Sequence, residues 1–133
     1  MIKVLVVRVD GTSGDEFRLA AAESLAKLFE THVVGLIINV LPEPIIVETM
    51  TSVTNWSESL EQARAQGRQF EERTKERLKS LAPSSEVRRI DAYSHERAFL
   101  TARECRSADV LVGLRLSDDD DTIELHDVIE ETL

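Results

Sequence analysis

Ile2-Lys3-Val4-Leu5-Val6-Val7-Arg8-Val9, followed at once by Asp10-Gly11-Thr12-Ser13-Gly14, decides how the rest of the chain is read. The apolar residues stand side by side rather than alternating with polar ones. A strand with one face in water alternates, whereas a strand covered on both faces need not. This run therefore predicts a buried strand of a parallel sheet, and the glycine-flanked break after it predicts a sharp turn into a helix. Ser13 and Glu16 match the S-x-x-E spacing of a capping box. Phe17, Ala21, Ser24, Leu25 and Leu28 then recur at helical spacing, which predicts an amphipathic helix over residues 14–30 with that stripe turned inward.

The pattern repeats outward from there. Val33-Val34-Gly35-Leu36-Ile37-Ile38 reads as a second buried strand within residues 31–40, ended by Pro42 and Pro44. Residues 41–56 form a long connection without periodicity, in which Ile45-Ile46-Val47 suits either an edge strand or a lid. From Ser57 the helical pattern resumes, with Leu60, Ala63, Gly67, Phe70, Thr74, Leu78 and Leu81 on one stripe and pairs such as Glu71–Lys75 supporting the solvated face. Residues 86–92 read as a third strand. Ser94 is placed to cap a third helix reaching about residue 107, with Ala98, Phe99, Ala102 and Cys105 inward. Val110-Leu111-Val112 marks a fourth strand within residues 109–116, and residues 122–133 form a last helical segment. Strictly alternating strands and helices imply an α/β, doubly wound, Rossmann-like parallel sheet. A fifth strand, which such folds usually add, is not apparent.

The chain has 133 residues, 42% of them hydrophobic, enough for one domain with its own core. No stretch approaches the roughly 20 apolar residues of a membrane span, and the opening run is too short and too soon followed by Arg8 and Asp10 for a signal peptide. A net charge of −9 speaks against nucleic acid and anionic membrane surfaces as partners. The single cysteine, Cys105, has no intramolecular partner, which fits a reducing, cytoplasmic setting.

In doubly wound sheets ligands bind beyond the carboxyl ends of the strands. Four segments converge there: residues 9–13, 40–44, 93–95 and 113–121. Asp10 either orders the Gly11 turn with its own side chain or contacts a ligand. Asp118-Asp119-Asp120-Asp121 either caps the last helix and favours its dipole or holds a divalent cation. His95 is either exposed or a general base. His32 and His126 complete a set of histidines without metal-ligand spacing. Cys105 reads as a packed thiol, and Trp56 as an anchor for the long connection or part of a partner surface. There is no Walker loop, no Ser/His/Asp arrangement and no paired catalytic carboxylates, so an enzyme is not expected.

Val7-Arg8-Val9-Asp10-Gly11-Thr12, His32-Val33-Val34-Gly35-Leu36 and Ala108-Asp109-Val110-Leu111-Val112-Gly113 resemble the universal stress protein family, and the likeness in element order and spacing covers essentially the whole chain. The resemblance implies a sheet of order 3-2-1-4-5, here 3-2-1-4 with the fifth strand missing, and a dimer acting in stress responses. Many members bind ATP. By analogy Asp10 and Gly11 at the end of the first strand, Val40 at the end of the second and Gly113 after the fourth would line a nucleotide cleft. The family's phosphate motif is Gly-x-x-Gly, nine residues, then Gly-Ser/Thr. In this chain Gly113 fits, but Leu116 stands at the second glycine and His126-Asp127 at the terminal pair. Those glycines let backbone N–H groups approach phosphate oxygens closely. The loop here instead reads Arg115-Leu116-Ser117 and then four aspartates, whose charges repel a triphosphate by about 1 kcal/mol per close pair in water. The expectation is a dimeric regulatory module, with possible protein partners, whose nucleotide cleft is vestigial and holds no cofactor; the alternative is an ATP-binding member with an altered phosphate loop.

Overall fold

The computed structural model describes residues 2–44 and 51–113. Its elements are β1 (Val4–Arg8), α1 (Gly14–Phe29), β2 (His32–Val40), α2 (Thr51–Leu81), β3 (Ser85–Ala92), a single 3-10 turn (Ser94–Glu96), α3 (Arg97–Cys105) and β4 (Val110–Val112). The strands form one sheet in the order β3-β2-β1-β4, with every pairing parallel. This is the Rossmann-like, doubly wound α/β arrangement. Among the described residues no fifth strand joins it.

Val4 to Val7 are apolar at successive positions because the strand faces two cores. Leu5, Val7 and Val9 point to one side, where Val33 and Ile37 of β2 join Leu19, Ala22 and Ala26 of α1 and Leu78 and Leu81 of α2. Val6 points to the other side with Val34 and Leu36, and there Cys105 at the end of α3 and Leu111 of β4 pack on. Among the described residues the first core is the larger, because two long helices cover it and α3 alone covers the second. β2 overruns β1: Leu36 pairs with Arg8, while Ile37 to Val40 go on to pair with β3 alone. That extension, four residues or about 13 Å, stands above the carboxyl end of β1. Asp109 closes the opposite corner. Its Oδ2 accepts the amide protons of Lys3 at 2.7 Å and Val4 at 3.0 Å, tying β1 to the approach to β4, and these bonds hold its carboxyl below the usual range.

Several local expectations are corrected. The inward face of α1 is Leu19, Ala22 and Ala26, together with Gly14, Asp15 and Arg18, while Phe17, Ala21, Ser24 and Leu28 are exposed. Only Leu25 of the expected stripe packs against the core, and it does so in part. Helix α1 carries two apolar stripes, and the wrong one has the larger side chains. The capping box does not form. Ser13 is already helical, its side chain caps nothing, and Glu16 instead bonds Arg77 of α2 at 3.0 Å. α2 starts at Thr51 rather than Ser57. Its expected stripe is largely correct: Gly67, Thr74, Leu78 and Leu81 are buried and Phe70 partly so, and the Lys75–Glu71 pair is present at 3.7 Å. Ser94 opens a 3-10 turn rather than capping α3, and Phe99 is half exposed while Leu100, Thr101 and Ala102 are buried. The expected strand or lid at Ile45-Ile46-Val47 and the last helix, residues 122–133, lie outside the described residues.

Candidate functional site

Where β1 ends, the chain must turn within a few residues into α1. Gly11 takes a positive φ of 83°, which a residue with a Cβ adopts only under strain. Asp10 Oδ1 accepts the Thr12 amide at 2.9 Å and the Thr12 hydroxyl at 2.6 Å, an Asx turn of the kind that aspartate favours. Asp15, in the first turn of α1, reaches back across the loop. Its Oδ1 accepts the Asp10 amide at 3.0 Å and its Oδ2 the Gly11 amide at 2.8 Å. These bonds order the loop ahead of α1; they are made to the amides of Asp10, Gly11 and Thr12 and not to the helix's own first amides, which the Ser13–Glu16 box was expected to satisfy.

Arg18, one turn further along α1, completes the assembly. Its side chain is only 6% exposed, and its Nη2 donates both to Asp10 Oδ1 at 2.8 Å and to Asp15 Oδ1. A buried guanidinium needs acid partners, and here it has two, each of which already orders the loop backbone. Burial acts to raise the Asp10 carboxyl, but the Thr12 hydroxyl and amide and the Arg18 charge outweigh it, so the group sits below its ordinary value. The four residues therefore form one interlocked unit in which Asp10 Oδ1 serves three donors.

The other residues expected at the cleft are spread along the same edge. Phe70 of α2 lies over the Gly11 turn, close enough that a Cβ on Gly11 would touch its ring at 3.8 Å. Gly113 follows Val112, which pairs with Val7, so it comes level with the end of β1. Val40 pairs with Ala92 at the far tip of the β2 extension and is 41% exposed. Between these points Asn39 is held beneath α2. Its Nδ2 donates to the Ala63 carbonyl at 3.1 Å and to Asp91 Oδ1 at 3.0 Å, and α2 approaches so closely that a Cβ on Gly67 would lie 2.4 Å from that nitrogen. Trp56 Nε1 donates to the Pro42 carbonyl at 3.0 Å, which bears out its reading as an anchor. His95 lies near Glu43, at 3.3 Å, and both are well exposed. Cys105 is half buried and burial pushes its thiol up, the opposite of activation. Leu116, the four aspartates, His126 and Asp127 lie outside the described residues.

At the opposite end of the sheet the fold assembles a group that sequence spacing does not reveal. His32 Nδ1 and Ser84 Oγ are 2.7 Å apart, and Glu86 Oε1 lies 3.9 Å from His32 Nε2. The order resembles a nucleophilic relay, but 3.9 Å is too long for a hydrogen bond and Glu86 is already held by Arg88 at 2.6 Å. Nearby, Ala26, Thr31, Leu81, Ala82 and Pro83 line a shallow cavity of about 260 Å³ between the ends of α1 and α2. Among the described residues no group of three or more His, Cys, Asp or Glu side chains converges as a metal site would, and no helix is long and apolar enough to cross a membrane.

The signal for the Asp10–Asp15–Arg18 unit was present in the sequence: acids flanking a D-G turn, with an arginine three residues after the second. On a helix an arginine ordinarily belongs to the solvated face, so the spacing carries little weight until the fold shows which way it points. No protein-family model and no curated protein matches the sequence.

Proposed function

We propose that this chain is a universal stress protein-like regulatory and binding module, homodimeric and acting in stress physiology, that does not use its cleft to hold ATP. The observation that carries this reading is the Arg18 clamp. The aspartate that would face a nucleotide is part of an internal ion pair and turn, and its Oδ1 already serves the Thr12 amide, the Thr12 hydroxyl and Arg18. A nucleotide seeking that carboxylate has to compete with donors fixed in the fold, and releasing Arg18 from Asp10 would leave a buried cation with Asp15 as its remaining acid partner. The loop sequence after Gly113 supports the same reading, since four aspartates oppose phosphate.

Self-association is proposed at β4. Among the described residues its outer edge pairs with nothing, and Val110-Leu111-Val112 carries no charge to discourage a second strand. Protein partners rather than nucleic acid follow from the charge of −9, and the cytoplasm is the proposed setting.

Titrating the full chain with ATP, with and without Mg²⁺, by calorimetry tests the cleft. No heat of binding at millimolar nucleotide is expected. Micromolar binding that disappears in Asp10→Ala would replace the proposal with the ATP-binding alternative.

A further inference from the structure

At the amino end of the sheet two helices finish around one cavity. The last turn of α1 and its cap, Glu30, line one side of the space of about 260 Å³, and the end of α2 with Ala82 and Pro83 lines the other. The last carbonyls of a helix have no donor within it, and here the amides that follow are committed elsewhere. Beyond α1 the Thr31 amide goes back to Ala26, that of His32 to Lys3 and that of Val33 to Ser84, so the carbonyls of Lys27, Leu28 and Phe29 receive none of them. Beyond α2 the amide that would serve the Lys79 carbonyl does not exist, because residue 83 is proline. Aligned peptides also leave about half a negative charge at the carboxyl end of each helix. Two such ends converge on this cavity.

Glu30 adds a full negative charge at the rim. Its φ of 51° lies in the left-handed region, where glycine is the usual cap and a side chain is a steric burden. Lys27, the cation among the lining residues, is turned to Glu23 at 2.7 Å. The walls between are apolar, and Ala26, Leu81 and Ala82 belong to the larger core.

We propose that this cavity binds a small organic cation, a primary ammonium on an apolar body of one ring and a short arm. The ammonium lies at the helix carbonyls and the Glu30 carboxylate, and the body lies against Ala26, Leu81, Ala82 and Pro83. Charge selects the class, because carbonyl and carboxylate oxygens accept the three N–H donors of an ammonium. A quaternary ammonium has no N–H and is ordinarily held by aromatic faces, and no aromatic side chain lines this cavity. Volume selects the body. About 150 Å³ holds benzene, so about 260 Å³ holds a ring with a short arm. The site lies at the opposite end of the sheet from Asp10 and is independent of whether the carboxyl end binds ATP.

Titration of the full chain with phenethylamine near neutral pH, followed by amide NMR, tests this. Phenethyl alcohol and hydrocinnamate serve as uncharged and anionic counterparts of similar shape. The amine is expected to bind with a Kd on the order of 1 mM, in keeping with its size, and to shift amides within residues 26–31 and 81–84. The alcohol should bind about tenfold more weakly, since it lacks the charge-assisted bonds, and the acid more weakly still. Glu30→Gly is the decisive variant. Glycine accepts the same φ, so the fold is kept while the carboxylate is lost, and affinity for the amine should fall about threefold, as for an exposed ion pair. Glu61→Gln, about 30 Å away along α2, removes a charge of the same sign and should leave affinity unchanged. Equal affinity for amine and alcohol, or a preference for the acid, overturns the cation site. So does a Glu30→Gly variant that binds like wild type, or one weakened no more than Glu61→Gln. Shifts confined to other residues, or none at about 20 mM amine, overturn it as well.

Discussion

The two ends of the sheet hold similar polar residues and use them differently. At the carboxyl end, Asp10, Thr12, Asp15 and Arg18 bond to one another and to the loop backbone, with Arg18 almost wholly buried. At the amino end, His32, Ser84 and Glu86 also lie together, but they are partly or fully exposed and one of their contacts is too long to be a bond. In a doubly wound sheet the carboxyl end is where ligands are sought. The lesson of the comparison is that the charged groups there have been turned inward to stabilise the turn. The amino end holds its polar side chains by contacts at the surface, His32 with Ser84 and Glu86 with Arg88, beside a shallow cavity.

The largest expected effect comes from Arg18→Leu. It leaves Asp10 and Asp15 facing each other without a cation, and breaking a largely buried pair in this way costs about 3 kcal/mol in denaturant unfolding at pH 7. The loss should shrink as pH falls. With the cation gone the folded state disfavours the charged Asp10 carboxylate, so protonating it towards pH 4 relieves the variant more than wild type. In wild type the sign is opposite. Asp10 lies below its ordinary value of 3.8 in the folded state, so its contribution is complete above that value and is lost as pH falls through the lower, folded one.

Next is Gly67→Ala. The new methyl would lie 2.4 Å from Asn39 Nδ2, so Asn39 must leave Ala63 and Asp91 or α2 must lift, at about 2 kcal/mol. Gly11→Ala should cost about 1 kcal/mol from the positive φ alone, because the Phe70 ring at 3.8 Å leaves room for the added methyl. At the other end Ser84→Ala should fall within about 0.5 kcal/mol of wild type, as exposed substitutions usually do. A Ser84→Ala loss as large as that of Gly67→Ala would erase the contrast between the two ends.

Much of this fold is legible in the sequence, and the reason is specific. Val4 to Val7 and Val33 to Ile38 are apolar at consecutive positions because each strand faces two cores, and that signal admits few alternatives. The alternation of elements then prescribes a parallel sheet. Helix α1 shows where periodicity fails. Phe17 and Leu28 outweigh Ala22 and Ala26 in any reading of apolar content, yet the small residues face the sheet, where a helix must pack closely. The candidate site was legible as a place and not as a mechanism. Asp10 was identified, but its partner was not, because burial of Arg18 depends on the rotation of α1, which the larger stripe misreports. The Asp15 contacts were obscured in the same way by the better-known capping-box spacing at Ser13 and Glu16.

The claim on which the account turns is that Asp10 serves the fold. Groups kept for ligand binding are often held at some expense to stability, and removing them commonly leaves a protein as stable or more so. Denaturant unfolding of Asp10→Ala, alone and combined with Arg18→Leu, distinguishes the two roles. The account predicts a loss of about 1–2 kcal/mol for the single change, kept modest by the partial exposure of the carboxylate, and a combined loss smaller than the two separate losses together, as expected for partners in one network. An Asp10→Ala variant as stable as wild type or more stable, with losses that simply add, would contradict it.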